Sequence, residues 1–233
     1  MALPSKSEIN RCGDLLRDCR NDPGGDYDWE RLNYALDVLG EFRTSFQYPL
    51  TKVTVGLRVM VKAESEAVIV AQRLKRMNRI LGKLQRMPGT KIARMEDVGG
   101  CRAVLATPSE LDGVLRRIRR RWDVVRERDY ITDPKPAGYR AFHAVVDRDG
   151  RRIEVQLRTR GQQDWADSLE AFASALNLPL KDDQGPGEVL EFFRLAGEGI
   201  YRDEYGVPVD EEFMTRFRTA QAAMRDWAAH RRG

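Results

Sequence analysis

The stretch Arg151-Arg-Ile-Glu-Val-Gln-Leu-Arg-Thr159 constrains this chain more than any other. Ile153, Val155 and Leu157 alternate with Glu154, Gln156 and Arg158, and side chains on a strand point to opposite faces in turn. One face therefore builds a core, while the other sets a carboxylate, an amide and a guanidinium in a row. Any half-buried strand with a solvated face shows the same alternation, so its meaning depends on the segments around it.

A chain of 233 residues can bury a sizeable core, and we expect one main domain over residues 47–205, with an N-terminal helical region over 1–46 and a C-terminal helix over 206–233. Hydrophobic residues at 42% exclude general disorder, and charged residues at 33% call for a large solvated or ligand-facing surface. The net charge of +4 is compatible with an anionic partner without demanding one. Cys12, Cys19 and Cys101 are odd in number and form no paired C-x-x-C, so neither a disulfide framework nor a zinc site is expected. The start has no apolar signal core, and no run approaches the ~20 apolar residues of a membrane span. The expectation is a cytoplasmic protein with no membrane partner.

The turn cluster Asn21-Asp-Pro-Gly-Gly-Asp26 closes a short amphipathic opening. Leu32, Ala35, Leu36, Leu39 and Phe46 then recur at helical spacing, predicting a helix capped by Asp26 or Asp28. Lys52–Lys62 alternates Val53, Val55, Leu57, Val59 and Val61 with other residues and is read as a strand. A helix is expected from Glu66 to about Arg86, stopped by Met87-Pro-Gly89, then a strand over Cys101–Ala106. Glu110–Arg121 reads as a helix burying Leu111, Val114, Leu115 and Ile118 and exposing a basic surface. Strands follow around Val124–Ile131, Ala141–Asp147 and Arg152–Arg158, with Asp147-Arg-Asp-Gly150 as a hairpin turn. Helices follow Gln162, interrupted by the loop 181–187, and the last spans about Asp210–Ala229 with Phe213, Phe217, Met224 and Trp227 on one stripe. The fold class is α/β, a mixed sheet flanked by helices.

Four segments carry residues suited to nucleotide chemistry. Arg73-Leu-Lys75-Arg76, with Lys83 further on, gathers cations that suit a polyphosphate, although a charge run of this kind is more often a solvated helix face. In Glu96-Asp97-Val-Gly-Gly-Cys-Arg102, glycines permit close backbone approach and Asp97 can hold Mg²⁺, although a plain turn needs no metal. In the loop Asp129–His143, Lys135 and Arg140 suit phosphates, Tyr139 offers a face to a base, and His143 can donate to phosphate or ribose. On the opening strand, Glu154 can take a proton from a hydroxyl while Gln156 and Arg158 fix substrate. No G-x-x-x-x-G-K-[ST] loop occurs, which excludes the usual P-loop ATPase.

In this order the motifs Arg-x-Lys, Asp-x-x-Gly-x-Arg, Asp-Tyr-Ile-x-x-Pro-Lys-x-x-Gly-Tyr-Arg-x-x-His and Glu-Val-Gln-x-Arg-Thr resemble the synthetase domain of the RelA/SpoT family. They span Arg73 to Thr159, and residues before about Phe42 and after about Tyr205 lie outside the resemblance. The resemblance implies a nucleotidyltransferase-like fold and transfer of the β,γ-diphosphate of ATP, with Mg²⁺, to a ribose 3′-hydroxyl. It implies that Arg73, Lys75 and Lys83 contact ATP phosphates, that Arg102 lies on the adenine or phosphate side, and that Asp97 and Glu154 are the catalytic, metal-binding carboxylates. Tyr139 would stack on the acceptor base, with Lys135, Arg140, His143, Gln156 and Arg158 around it. Phosphoryl-group transfer relies on positioning and charge neutralisation, which suits this inventory.

Two positions depart from the family pattern, Ala137 where asparagine is frequent and Ala141 where serine is frequent. Some small members of the family are toxins that modify the 3′-terminal adenosine of tRNA. Arg116, Arg117, Arg120 and Arg121, with Arg151 and Arg152, are candidate tRNA contacts. Together with Ala137 they tip the expected acceptor toward tRNA. GDP or GTP as acceptor, and a non-catalytic nucleotide- or RNA-binding module, remain alternatives, and an antitoxin partner and the oligomeric state stay open.

Overall fold

Strand β5 (Arg151–Thr159) lies at the centre of a five-stranded sheet of order β1-β2-β5-β4-β3. Its neighbours are β2 (Gly99–Leu105), which runs parallel to it, and β4 (Phe142–Arg148), which runs antiparallel. The edges are β1 (Ile69–Leu74) beside β2 and β3 (Val124–Asp129) beside β4, both antiparallel, so the sheet is mixed as expected. The computed structural model describes residues 4–66, 69–180 and 183–231. Lys181 and Asp182 of the loop expected over 181–187 fall outside the described residues.

The alternation of β5 divides the molecule as its pattern requires. Ile153, Val155 and Leu157 are fully buried, with Cys101, Ala103, Phe142 and Ala144 from neighbouring strands on the same face. Helices α1 (Lys6–Asn21), α2 (Trp29–Thr44), α3 (Gln47–Lys62), α4 (Met77–Arg86) and α5 (Pro108–Arg121) contribute to this first core. A second cluster joins α6 (Arg160–Leu176) and α7 (Gly187–Glu204) through Trp165, Leu169, Val189 and Phe193, and α8 (Glu211–His230) packs against it with Met224 and Trp227. Phe213 and Phe217 of the C-terminal stripe stack on each other.

Two expectations give way. Residues 52–62 form the larger part of α3 and no strand. Alternating valines fit a strand template, but Leu50, Val53, Thr54, Leu57, Met60 and Val61 are the buried set, at helical spacing, while Val55 and Val59 are exposed at 51% and 57%. The Thr54 hydroxyl donates to the Leu50 carbonyl at 2.8 Å, so it too is satisfied within the helix. The single helix expected from Glu66 to Arg86 is instead β1 followed by α4, because Ile69–Leu74 pairs along its whole length with β2. That pairing is long-range and outweighs local periodicity.

Local signals elsewhere hold. Asp28 caps α2 by accepting the Glu30 and Arg31 amides. The β4–β5 hairpin turns with Asp149 at φ 52° and Gly150 at φ 72°, the left-handed pair that a two-residue turn favours. Thr159, last in the Glu-Val-Gln-x-Arg-Thr motif, is the N-cap of α6 in a reciprocal capping box with Gln162.

Candidate active site

The polar face of β5 opens into a cleft of about 480 Å³ lined by Arg73, Lys75, Asp97, Arg102, Lys135, Tyr139, His143, Glu154, Gln156 and Arg158. Register explains the gathering. Arg73 lies opposite Gly100, Gly100 opposite Glu154, Arg102 opposite Gln156, and Gln156 opposite His143, so alternate residues of four strands emerge on one side. Gly100 keeps the centre open, since a Cβ there would sit 3.4 Å from the Glu154 carbonyl oxygen.

Asp97, just before β2, is the hub of the basic end. Its Oδ2 accepts from Lys75 Nζ at 2.5 Å and from Lys83 Nζ at 2.9 Å. Burial alone would raise its pKa, but the two ammonium groups outweigh burial and hold it below the usual 3.8. Its Oδ1 is buried and has no hydrogen-bond partner among the described residues. Lys75 is pinned at both backbone groups, its amide donating to the Val98 carbonyl at 2.8 Å and its carbonyl accepting from Arg43 Nε at 2.7 Å.

Glu154 anchors the other end. Its Oε1 lies 3.0 Å from His143 Nδ1, and its Oε2 accepts from Gln156 Nε2 at 2.8 Å. Burial again opposes ionisation, and His143 with Gln156 overcomes it, leaving the pKa below 4.5. His143 Nε2 lies 2.7 Å from the Tyr139 hydroxyl, which also accepts from Arg158 Nη2 at 2.8 Å. Arg158 is buried and further held by Gln163 Oε1 at 3.0 Å. Lys135 Nζ lies 5.1 Å from the Tyr139 ring centroid and 5.2 Å from that of Tyr130. Burial and the nearby Arg158 guanidinium both depress the Arg102 pKa.

The structure thus brings together most of the residues singled out in the sequence, with Lys83 reaching the cleft through Asp97. Arg140 stays apart: it donates to the Ile131 carbonyl, and its guanidinium carbon lies 4.2 Å from the Tyr201 ring centroid. The α5 arginines also stay apart, because α5 covers the opposite face of the sheet through Leu111, Val114 and Ile118. Arg117 pairs there with Glu64, Arg116, Arg120 and Arg121 are exposed, and Arg151 packs near Phe42 and Phe46. Arg152 lies on the cleft face and pairs with Glu96 at 3.0 Å. Sequence reasoning missed Arg43, Gln163 and Asp183, which act across 32, 5 and 46 residues. Only Gln163, one turn beyond Arg158, had a local signal.

Fold and cleft define a class, an α/β protein whose sheet presents two carboxylates among cations suited to polyphosphate. Comparison with known proteins is more specific. The region found in RelA/SpoT proteins matches residues 72–174. GTP pyrophosphokinase YjbM of Bacillus subtilis is 30% identical over 156 residues, 60% of this chain and 71% of that protein. GTP pyrophosphokinase YwaC of the same organism is 31% identical over 114 residues, 42% of this chain and 53% of that protein. The fold is shared with small alarmone synthetase 1 from Bacillus subtilis bound to its product pppGpp, at TM-score 0.58, 24% identity, and coverage of 70% of this chain and 93% of that one. Small alarmone synthetase 2 from the same organism matches at TM-score 0.61 and 20% identity, over 72% and 95% of the two chains. The chain belongs to the RelA/SpoT family and is a pyrophosphokinase of that family.

Proposed function

We propose that the enzyme transfers the β,γ-diphosphate of ATP to the 3′-hydroxyl of GDP or GTP, releasing AMP and making (p)ppGpp. The observation that carries this reading is the pairing of unlike carboxylates in one cleft: Asp97 embedded in lysines, Glu154 embedded in hydrogen-bond donors to its charged form. The names of the relatives YjbM and YwaC supply the guanine acceptor. The α5 arginines, which had tipped the expectation toward tRNA, lie on the other side of the sheet and leave that acceptor without its main support.

Arg73, Lys75, Lys83 and Arg102 bind the donor and neutralise its phosphates. Asp97 would hold Mg²⁺ through Oδ1, the buried oxygen without a protein partner, which fits a cation bound by one or two carboxylates plus phosphate oxygens. The chemistry such an ion supplies is neutralisation of charge on the transferred group. Glu154 is ionised although buried, and a lone pair of its carboxylate beyond those taken by His143 and Gln156 accepts the proton of the 3′-hydroxyl. As that oxygen bonds to the β-phosphorus, the bond from the β-phosphorus to the α,β-bridging oxygen breaks and AMP leaves. Tyr139 carries the acceptor base, and Lys135, resting near its ring, turns to the acceptor phosphates.

The test is transfer of label from γ-labelled ATP to GDP, GTP, ADP and deacylated tRNA in parallel, with AMP release. Label on GDP or GTP is expected, falling at least ~10²-fold in Glu154→Gln while ATP binding is retained. Label on tRNA alone would restore the toxin reading, and wild-type turnover in Glu154→Gln would overturn the base assignment. No label on any acceptor and no AMP would leave a binding module.

A further inference from the structure

Asp183 enters the cleft from the loop between α6 and α7, beside Leu180, which is 1% exposed. Its backbone is left-handed at φ 56°, a conformation aspartate tolerates better than most residues. Its amide donates to the Leu180 carbonyl at 3.1 Å, and its Oδ1 accepts from the Ala137 amide at 3.0 Å.

Ala137 belongs to the turn that presents Tyr139, closed by Gly138 N–H to the Lys135 carbonyl at 2.7 Å and Lys135 N–H to the Tyr139 carbonyl at 3.2 Å. That turn is pressed backbone to backbone on α7, where a Cβ on Gly197 would meet the Gly138 oxygen at 2.4 Å. The Asp183 carboxylate is thus fixed relative to the turn carrying the Tyr139 ring. No cation pairs with it among the described residues, and no three acidic, histidine or cysteine groups gather there to hold a metal. A carboxylate is an acceptor only, with lone pairs to spare beyond the one the Ala137 amide takes.

We infer that Asp183 reads the edge of the acceptor base and selects guanine. Guanine presents two adjacent donors there, N1–H and the 2-amino group. Adenine presents a donor and the N1 acceptor, which a carboxylate repels, and hypoxanthine keeps N1–H but lacks the amino group. At position 137 this chain has a buried methyl with no polar atom to offer a base, so the loop between α6 and α7 supplies the acceptor atoms. Rejection of a base that leaves a polar protein group unpaired is the strongest form of such discrimination.

This inference rests on the proposed guanine-nucleotide acceptor. The test compares kcat/KM for GDP and IDP, with ATP as donor, in the wild type, Asp183→Asn and Asp183→Ala. Asparagine keeps an oxygen for the Ala137 amide while losing the charge and one acceptor. The wild type is expected to prefer GDP by at least about 10-fold, and both variants to bring the ratio within about twofold with KM for ATP nearly unchanged. Transfer to GDP with an unchanged ratio in both variants would overturn the role of Asp183 and leave the proposed function standing, as would a wild type that does not distinguish the two. Transfer by the wild type only to ADP or tRNA would overturn both.

Discussion

Asp97 and Glu154 are both held ionised against burial, and the groups that hold them differ, ammonium for one and histidine with glutamine for the other. A carboxyl whose folded pKa is depressed adds stability that is fully present above its ordinary value and lost as pH falls through the folded value. Stability measured by thermal melting is therefore expected to be insensitive to these two groups at neutral pH and to fall once pH drops below the ordinary carboxylate values of 3.8 and 4.5. His143→Ala removes the strongest group opposing burial at Glu154. The acid limb of the kcat/KM profile should then move to higher pH, and an unmoved limb would contradict the positioning of Glu154 by His143. At this scale the sequence was legible wherever a residue type had one plausible use on a strand face, as for Glu154 and Gln156. It was not legible for Arg43, whose contact with the Lys75 carbonyl joins elements far apart in the chain.

Among the elements, α3 shows where periodicity misleads. Valines in alternation satisfy a strand template, yet the buried set fits a helix, which runs for 16 residues. Leu57 has no exposed surface at the centre of that helix, so Leu57→Ala should cost about 2–5 kcal/mol in chemical denaturation. Polar replacements at exposed Val55 and Val59 should cost little, the reverse of what a strand would show. The turn that carries Tyr139 makes a second case. Gly197→Ala would drive a methyl into the Gly138 carbonyl, so it should raise KM for the acceptor more than KM for ATP, read from paired titrations. Equal effects on both substrates would mean that the turn does not serve the acceptor alone.

For the whole molecule, the sheet is a partition. The cations around Asp97, the carboxylates Asp97 and Glu154 and the turn carrying Tyr139 lie on one side, and the arginine-rich surface of α5 lies on the other. Replacing Arg116, Arg120 and Arg121 together by alanine should leave transfer to free nucleotide within about twofold, because the charges are exposed and remote from the cleft. A larger loss, relieved by low salt, would mean that a polyanion reaches across both faces. Among the described residues no helix is long and apolar enough to cross a membrane.

The amino-acid order alone determined the mixed α/β class, the central strand with its chemical face, and most of the polar groups in the cleft, Gln72, Asp167, Glu170 and Asp183 excepted. It did so because strand alternation and motif spacing are local and survive without knowledge of the fold. Tertiary structure alone decided that residues 52–62 are helical, that Ile69–Leu74 is an edge strand, that Arg140 and the α5 arginines leave the site, and that Asp183 enters it. Each of those outcomes depends on which distant partner buries a face or satisfies a hydrogen bond, and such partners are chosen by the folded chain as a whole.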